Sequence, residues 1–287
     1  MILAACLLGT LSVLVRNVSA QLHPFEIAFI RNAAQLMFMV PWVCIVGLST
    51  LKTKRIGAHI RRSVFGVVAM LTWFWVLTQM PIAQATALSF SAPLFTTLGA
   101  ALFLGERVGL RRWLAVSFGF GGVLMIIRPG FQDIGQAQVL AVVAAVLIAG
   151  AMLSNKSLTR SENPNVMVVW MGIIMSILSL PPAIMVWQWP NVNGWMWLGL
   201  IGLVATAAHL SINRAFAIGE ASFIAPYGFV QIPFVALVGF ISYGEIPDLW
   251  TWIGGGVIIG SGIYTAHREA KAKRQAQIST SAIAPPG

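Results

Sequence analysis

Acidic side chains are scarce in this chain. Its 287 residues hold eight Asp and Glu against 18 Lys and Arg, a formal net charge of +10, and charged residues of every kind amount to 9%. Soluble domains carry about 25%. A chain so poor in charge and 58% hydrophobic cannot cover a water-facing surface, which excludes an ordinary soluble domain. Cysteine is nearly lacking too: Cys6 and Cys44 stand in apolar runs without ligand spacing, so neither a disulfide framework nor a thiolate site is expected. His23, His59, His209 and His267 are scattered, and no metal is expected. There is no P-loop glycine pattern and no close set of acid, base and nucleophile. The residues therefore point to no cofactor, no ATP hydrolysis by this chain and no enzyme.

What is present is a succession of long apolar runs. A helix crossing the hydrocarbon needs about 20 mostly apolar residues, and ten such spans are read at 1–18, 25–48, 63–79, 82–104, 111–127, 136–155, 165–187, 194–213, 221–243 and 249–266. The basic residues fall in alternate gaps: Lys52, Lys54, Arg55, Arg61 and Arg62; Arg107, Arg111 and Arg112; Lys156 and Arg160; Arg214; and Arg268, Lys271, Lys273 and Arg274 in the tail. Arg16 and Arg128 lie near the other side, and Arg31 inside a run. Because cytoplasmic loops collect Lys and Arg, this places both termini in the cytoplasm of a multi-pass plasma-membrane protein, in bacteria the inner membrane. The positive charge is thus orientation, since helices of about 30 Å divide it, and no nucleic-acid partner is expected.

The first span lacks a basic segment before it, so it reads as a crossing and not a cleaved signal, despite Val18-Ser19-Ala20. Trp187, Trp189, Trp195 and Trp197 read as an interfacial belt on the outer side. Residues 267–287, basic and then rich in Ser, Ala and Pro, are expected to be a disordered cytoplasmic tail.

The chain also repeats itself. A shift of 139 residues aligns Phe90 with Phe229, Phe95 with Phe234, Leu98 with Leu237, Gly105-Glu106 with Gly244-Glu245, Leu110 with Leu249, Trp113 with Trp252 and Gly121 with Gly260. Five crossings per copy is an odd number, so the second copy enters the membrane the other way up. The expected fold is therefore all-α and integral to the membrane, ten transmembrane helices as two inverted five-helix repeats. Its units are 1–127, a linker 128–135, 136–266 and the tail. Inverted repeats permit two nearly equivalent conformations around a site near the midplane, which favours an alternating-access transporter.

Phe29-Ile30-Arg31, Ser91-Ala92-Pro93, Leu104-Gly105-Glu106 with Trp113, Gly119-Phe120-Gly121-Gly122 and Tyr243-Gly244-Glu245 carry a resemblance to the EamA family of the drug/metabolite transporter superfamily. It covers nearly the whole chain and implies a ten-helix permease moving small organic metabolites, often amino acids or related compounds, by proton coupling or exchange.

Several residues are candidates for the site. Arg31 lies about 10 Å into the second span and suits a substrate carboxylate or phosphate; pairing with Glu26 or helix-end carbonyls, or snorkelling outward, is the alternative. His209 and Asn213 share one face of the eighth span, and the histidine suits proton coupling unless both serve as interhelical glue. Tyr227, Gln231 and Phe234 form a stripe that could stack on and orient a solute, or simply pack. Trp73 is preferred to Trp75 as a cavity residue. Ser91 is placed beside Pro93 in the substrate path, with Pro93 and Pro233 as paired hinges or static kinks. Glu106 and Glu245 read as gating charges or, preferably, as loop anchors. Ser117 with Gly121 and Gly256 with Gly260 read as a packing or homodimer interface.

The functional expectation is a secondary active transporter of a small, amino-acid-like metabolite in the lipid bilayer. Uptake of a larger vitamin or nucleoside-like solute, such as S-adenosylmethionine or riboflavin, is the alternative, and an integral membrane enzyme a remote one.

Overall fold

In the computed structural model the described residues are 1–103, 110–128, 135–158, 162–218 and 225–283. They are helical with short connections, and no strand occurs among them. The first half contains α1 (Ile2–Val18), α2 (Pro24–Val46), α3 (Ile56–Gln79), a fourth crossing in two pieces, α4 (Ile82–Ser89) and α5 (Ala92–Phe103), and α6 (Leu110–Ile127). The second contains α7 (Gln136–Leu158), α8 (Pro164–Met185), α9 (Val192–Ile218), a 3-10 turn Ala225–Val230 running into α10 (Gln231–Tyr243), and α11 (Leu249–Ile283). Among the described residues five helices are long and apolar enough to cross a membrane, and shorter apolar helices accompany them. Large apolar side chains such as Leu102, Phe118 and Ile241 are exposed on the bundle's outside, as a lipid-facing surface requires.

The packing follows the repeat. Exchanging the halves turns the α3–α7 contact into α9–α1, α2–α9 into α8–α3 and α5–α7 into α10–α1, while α2–α8 and α6–α11 map onto themselves; all of these contacts are made. The chain is thus two inverted five-helix repeats packed about a pseudo-twofold axis. Local chemistry repeats too. His23 Nδ1 accepts the N–H of Phe25 with Pro24 in the first turn of α2, and Asn163 Oδ1 accepts the N–H of Asn165 with Pro164 opening α8. Each cap satisfies an orphan donor, and each proline sits where its missing N–H costs nothing.

Two crossings expected to be continuous are broken. The fourth is interrupted at Phe90–Ser91 and the ninth at its 3-10 turn. Pro93 and Pro233 explain the breaks, since each lacks an N–H and crowds the carbonyl four residues earlier. Ser91 Oγ donates to the Leu88 carbonyl at 2.7 Å, which partly satisfies the interrupted backbone. The repeat partners Phe90 and Phe229 meet across the axis with ring centroids 5.0 Å apart.

Three further expectations are corrected. α3 begins at Ile56, seven residues before the expected start, so Arg61 and Arg62 are inside a helix. α11 runs to Ile283 through the segment expected to be disordered; Ala, Lys, Arg, Gln and Glu propagate a helix that is already nucleated. Of the packing and homodimer readings of the small-residue pairs, packing within the chain is the one corrected: among the described residues a Cβ on Gly121, Gly256 or Gly260 would meet no atom within 4 Å. The close α6–α11 contact is made at Gly122 and Gly254.

Candidate functional site

The cap at His23 and Pro24 fixes the start of α2, which sets Arg31 two turns into the helix, with Asn32 and Gln35 beside it. All three are buried: Arg31 is 4% exposed, Asn32 and Gln35 0%. Arg31 does not snorkel and does not pair with Glu26, whose Oε2 accepts the N–H of Gln188 at 3.2 Å. Its guanidinium instead turns inward. Nη1 donates to Asn32 Oδ1 at 2.7 Å and approaches the Met70 sulfur at 3.7 Å, and Nη2 lies 2.7 Å from His209 Nε2. Two residues singled out separately, 178 positions apart, are thus brought into one contact.

Arginine has donors only, so His209 Nε2 must accept, and the ring is neutral with its proton on Nδ1. Asn32 Nδ2 reaches Ser179 Oγ on α8 at 3.4 Å, and Gln35 Nε2 donates to the Val168 carbonyl at 3.3 Å. Arg31 Nε, Gln35 Oε1 and Ser176 Oγ are buried without a partner. The site is therefore a polar seam between α2 and α8 closed by His209 of α9. Arg62 of α3 acts on both Arg31 and His209 through its charge.

No described carboxylate balances these cations. Among the described residues Glu26 is held by Gln188, Glu162 Oε1 accepts from Thr53 at 2.7 Å, Glu245 pairs with Arg16 and Asp248 pairs with Arg128. A cationic seam with buried donors and acceptors to spare can hold an anionic group on a polar organic solute.

The remaining expected residues are distributed differently. Trp73 is half-buried, one turn from Met70, and packs on the main core. Asn213 lies one turn beyond His209, but its side chain falls outside the described residues. Ser91 is buried with its hydroxyl turned to its own helix. Tyr227, 41% exposed, lies in the 3-10 turn and Gln231 opens α10; the bonds of Arg31 and His209 go to other residues. Glu106 lies outside the described residues. Asn32, Gln35, Arg62, Ser176 and Ser179 were not expected, although Gln35 at i+4 from Arg31 is one helical turn away and could have been found by that spacing.

The end of the bundle away from Lys52 and Arg55 is tied across the repeats. Arg16 Nη1 is 2.5 Å from Glu245 Oε1, and Glu245 Oε2 accepts the N–H of Ile82 at 3.0 Å. Arg16 lies 4.6 Å over the Tyr243 ring, whose hydroxyl donates to Asn17 Oδ1 at 2.7 Å. Glu245 thus bonds a helix terminus and an ion-pair partner together. A double-mutant cycle with Arg16→Ala and Glu245→Gln, read by thermal unfolding, should give a coupling of about 1 kcal/mol, as for contacting pairs; additive effects would mean that the pair is idle. At the basic end Arg62 Nε donates to Asn155 Oδ1 at 3.1 Å. An open recess of about 680 Å³ lies there, lined by Leu48, Leu51, Lys52, Thr53, Lys54 and Trp170, away from Arg31.

Residues 1–128 and 136–266 each match the EamA-like transporter family. The chain belongs to that family. This transporter is 32% identical over 253 residues to a protein of Vibrio cholerae named riboflavin transporter, covering 87% of this chain and 85% of that one. It is 29% identical over 260 residues to an S-adenosylmethionine uptake transporter of Rickettsia bellii, covering 91% and 89%, and 27% identical to a pseudopaline exporter of Pseudomonas aeruginosa, covering 90% and 91%. A solved crystal structure shares the fold at a TM-score of 0.62 and 18% identity, covering 92% of this chain and 96% of the other. The protein is a membrane transporter of small organic metabolites, and not an enzyme.

Proposed function

We propose that the Arg31–His209 seam is the solute site, and that the protein takes up a vitamin or nucleoside-like solute bearing a carboxylate or phosphate through the bacterial inner membrane, both termini cytoplasmic. The observation that carries this reading is the buried Arg31 guanidinium, bonded to His209 and Asn32 and opposed by no described acid. Relatives named riboflavin transporter and S-adenosylmethionine uptake transporter support the solute size, and the second name supports the direction. Trp73, Asn213, Tyr227 and Gln231 extend the site toward the ring system of such a solute. Ser91, Pro93 and Pro233 lie at the two broken crossings and act as hinges, and Glu245 with Glu106 as alternating end contacts.

Labelled S-adenosylmethionine and riboflavin, offered to proteoliposomes, test the reading directly. S-adenosylmethionine carries the carboxylate that Arg31 would bind, so it should enter and unlabelled compound should compete; riboflavin has no carboxylate or phosphate, so a failure of S-adenosylmethionine to enter or exchange, whatever riboflavin does, would refute the reading. The orientation has its own test. Green fluorescent protein joined to the C-terminus should fluoresce and alkaline phosphatase joined there should be inactive, because only the cytoplasm matures the first and only the outside activates the second. The outward small-residue face of Ser117, Gly121, Gly256 and Gly260 is the surface on which a homodimer would form.

A further inference from the structure

We propose that the Arg31–His209 contact couples the solute's anionic group to one proton, so that the two bind and cross together. The inference rests on the reading of this seam as the solute site. Nη2 of Arg31 and Nε2 of His209 are 2.7 Å apart, and the guanidinium cannot act as acceptor. The lone pair of Nε2 is therefore occupied by Arg31, and a proton placed on it would set two cations in contact.

Among the described residues the surroundings add no compensating charge. Of the helices packed on α9, α8 carries no titratable side chain, α2 contributes Arg31 and a Glu26 held at the far end by the Gln188 N–H, and α1 contributes Arg16, itself paired with Glu245. α3 brings the charge of Arg62 to bear on His209, with His59 and Arg61 nearer its start. Arg214, one turn and more beyond on α9 itself, is exposed.

A solute carboxylate or phosphate changes this balance. Guanidinium binds such groups with two parallel N–H donors, and Arg31 Nε is buried with no partner to give up. Turning Nε and Nη2 onto two solute oxygens releases His209 Nε2, which then takes a proton from solution and donates it to the solute. One negative and one positive charge are added, so the net charge of the seam is unchanged when a monovalent carboxylate and a proton enter together. Gln35 Oε1 and Ser176 Oγ, also buried and unpartnered, remain for the solute's other polar groups. By linkage the proton strengthens solute binding as much as the solute strengthens proton binding, and an inward proton gradient drives uptake.

The coupling is tested without knowing the solute, because neutralising Arg31 imitates the anion. Nitrogen NMR of histidine-labelled protein, with His209→Asn to assign the signal, should show Nε2 of His209 keeping its lone pair between about pH 5 and 8. In Arg31→Met, and in Arg31→Gln as a second neutral variant, His209 should take up a proton at a higher pH than it does with Arg31 in place, burial still opposing its charge. The same titration behaviour with and without Arg31 overturns the inference. Proteoliposomes bathed in a bacterial metabolite extract supply the second arm. Solutes bearing a carboxylate or phosphate should accumulate about tenfold more under an inward proton gradient than in its absence. Accumulation indifferent to the gradient overturns the coupling and leaves the transport site standing. If no solute accumulates, the site reading fails, while the NMR result still decides the Arg31–His209 linkage.

Discussion

Arg31→Ala should abolish solute uptake in proteoliposomes without lowering the thermal midpoint of the purified protein. Truncating one partner of a desolvated charge contact costs about 2–5 kcal/mol, which at 1.4 kcal/mol per tenfold is a loss of about 30-fold or more in affinity. Arg31→Lys should recover only part of it, because an ammonium keeps the charge and loses the planar fork. The stability result separates a binding role from a packing role. Arg31 is buried with His209 and Asn32 as its bonded partners and no described acid, so its removal takes an uncompensated cation out of the interior. Asn32 keeps Ser179. A structural arginine would show the reverse pattern: a midpoint lowered by several degrees, with uptake falling only in proportion to folded protein. Measured side by side, uptake and unfolding distinguish the two.

The architecture is legible in the sequence because bilayer physics writes it in one dimension. Apolar runs set the crossings, and the 139-residue shift from Phe90 to Phe229 sets the inverted repeat. The site is legible only in part. Arg31 and His209 each stand out as polar residues in apolar helices, but their 2.7 Å contact depends on how α2 and α9 rotate and tilt, which neither helix encodes by itself. Arg62 escaped because a basic residue at a helix start looks the same as one in a cytoplasmic loop until the helix boundary is known. Gln35, Ser176 and Ser179 escaped for a different reason: uncharged polar residues in membrane helices usually bond a neighbouring carbonyl, and Ser179 Oγ does donate to the Met175 carbonyl at 2.6 Å. The paired prolines announced an interruption, and the structure adds that both crossings break there.

Gly122→Leu should prevent accumulation of folded transporter, whereas Gly121→Leu, one residue earlier, should leave stability within about 0.5 kcal/mol of wild type, as for surface positions. The reason lies in which small face of α6 is turned inward. A Cβ on Gly122 would lie 2.6 Å from the Gly254 carbonyl, and one on Gly254 would lie 2.6 Å from that of Gly122. These contacts are with backbone, which cannot swing aside as a side chain can. α6 and α11 exchange places under the pseudo-twofold, so forcing them apart strains both repeats at once, and overpacking costs of about 3 kcal/mol or more are expected. Membrane helices associate through such close approaches because lipid supplies little hydrophobic drive between them. A Cβ on Gly121 meets no described atom of its own chain within 4 Å, so a leucine there leaves the fold of the single chain intact and opposes only a homodimer formed on that face. Size-exclusion of a fluorescent fusion extracted from membranes reads both variants in one experiment. The opposite ranking, with Gly121→Leu lost and Gly122→Leu tolerated, would show α6 rotated by about 100° and would return the small-residue stripe to the interior.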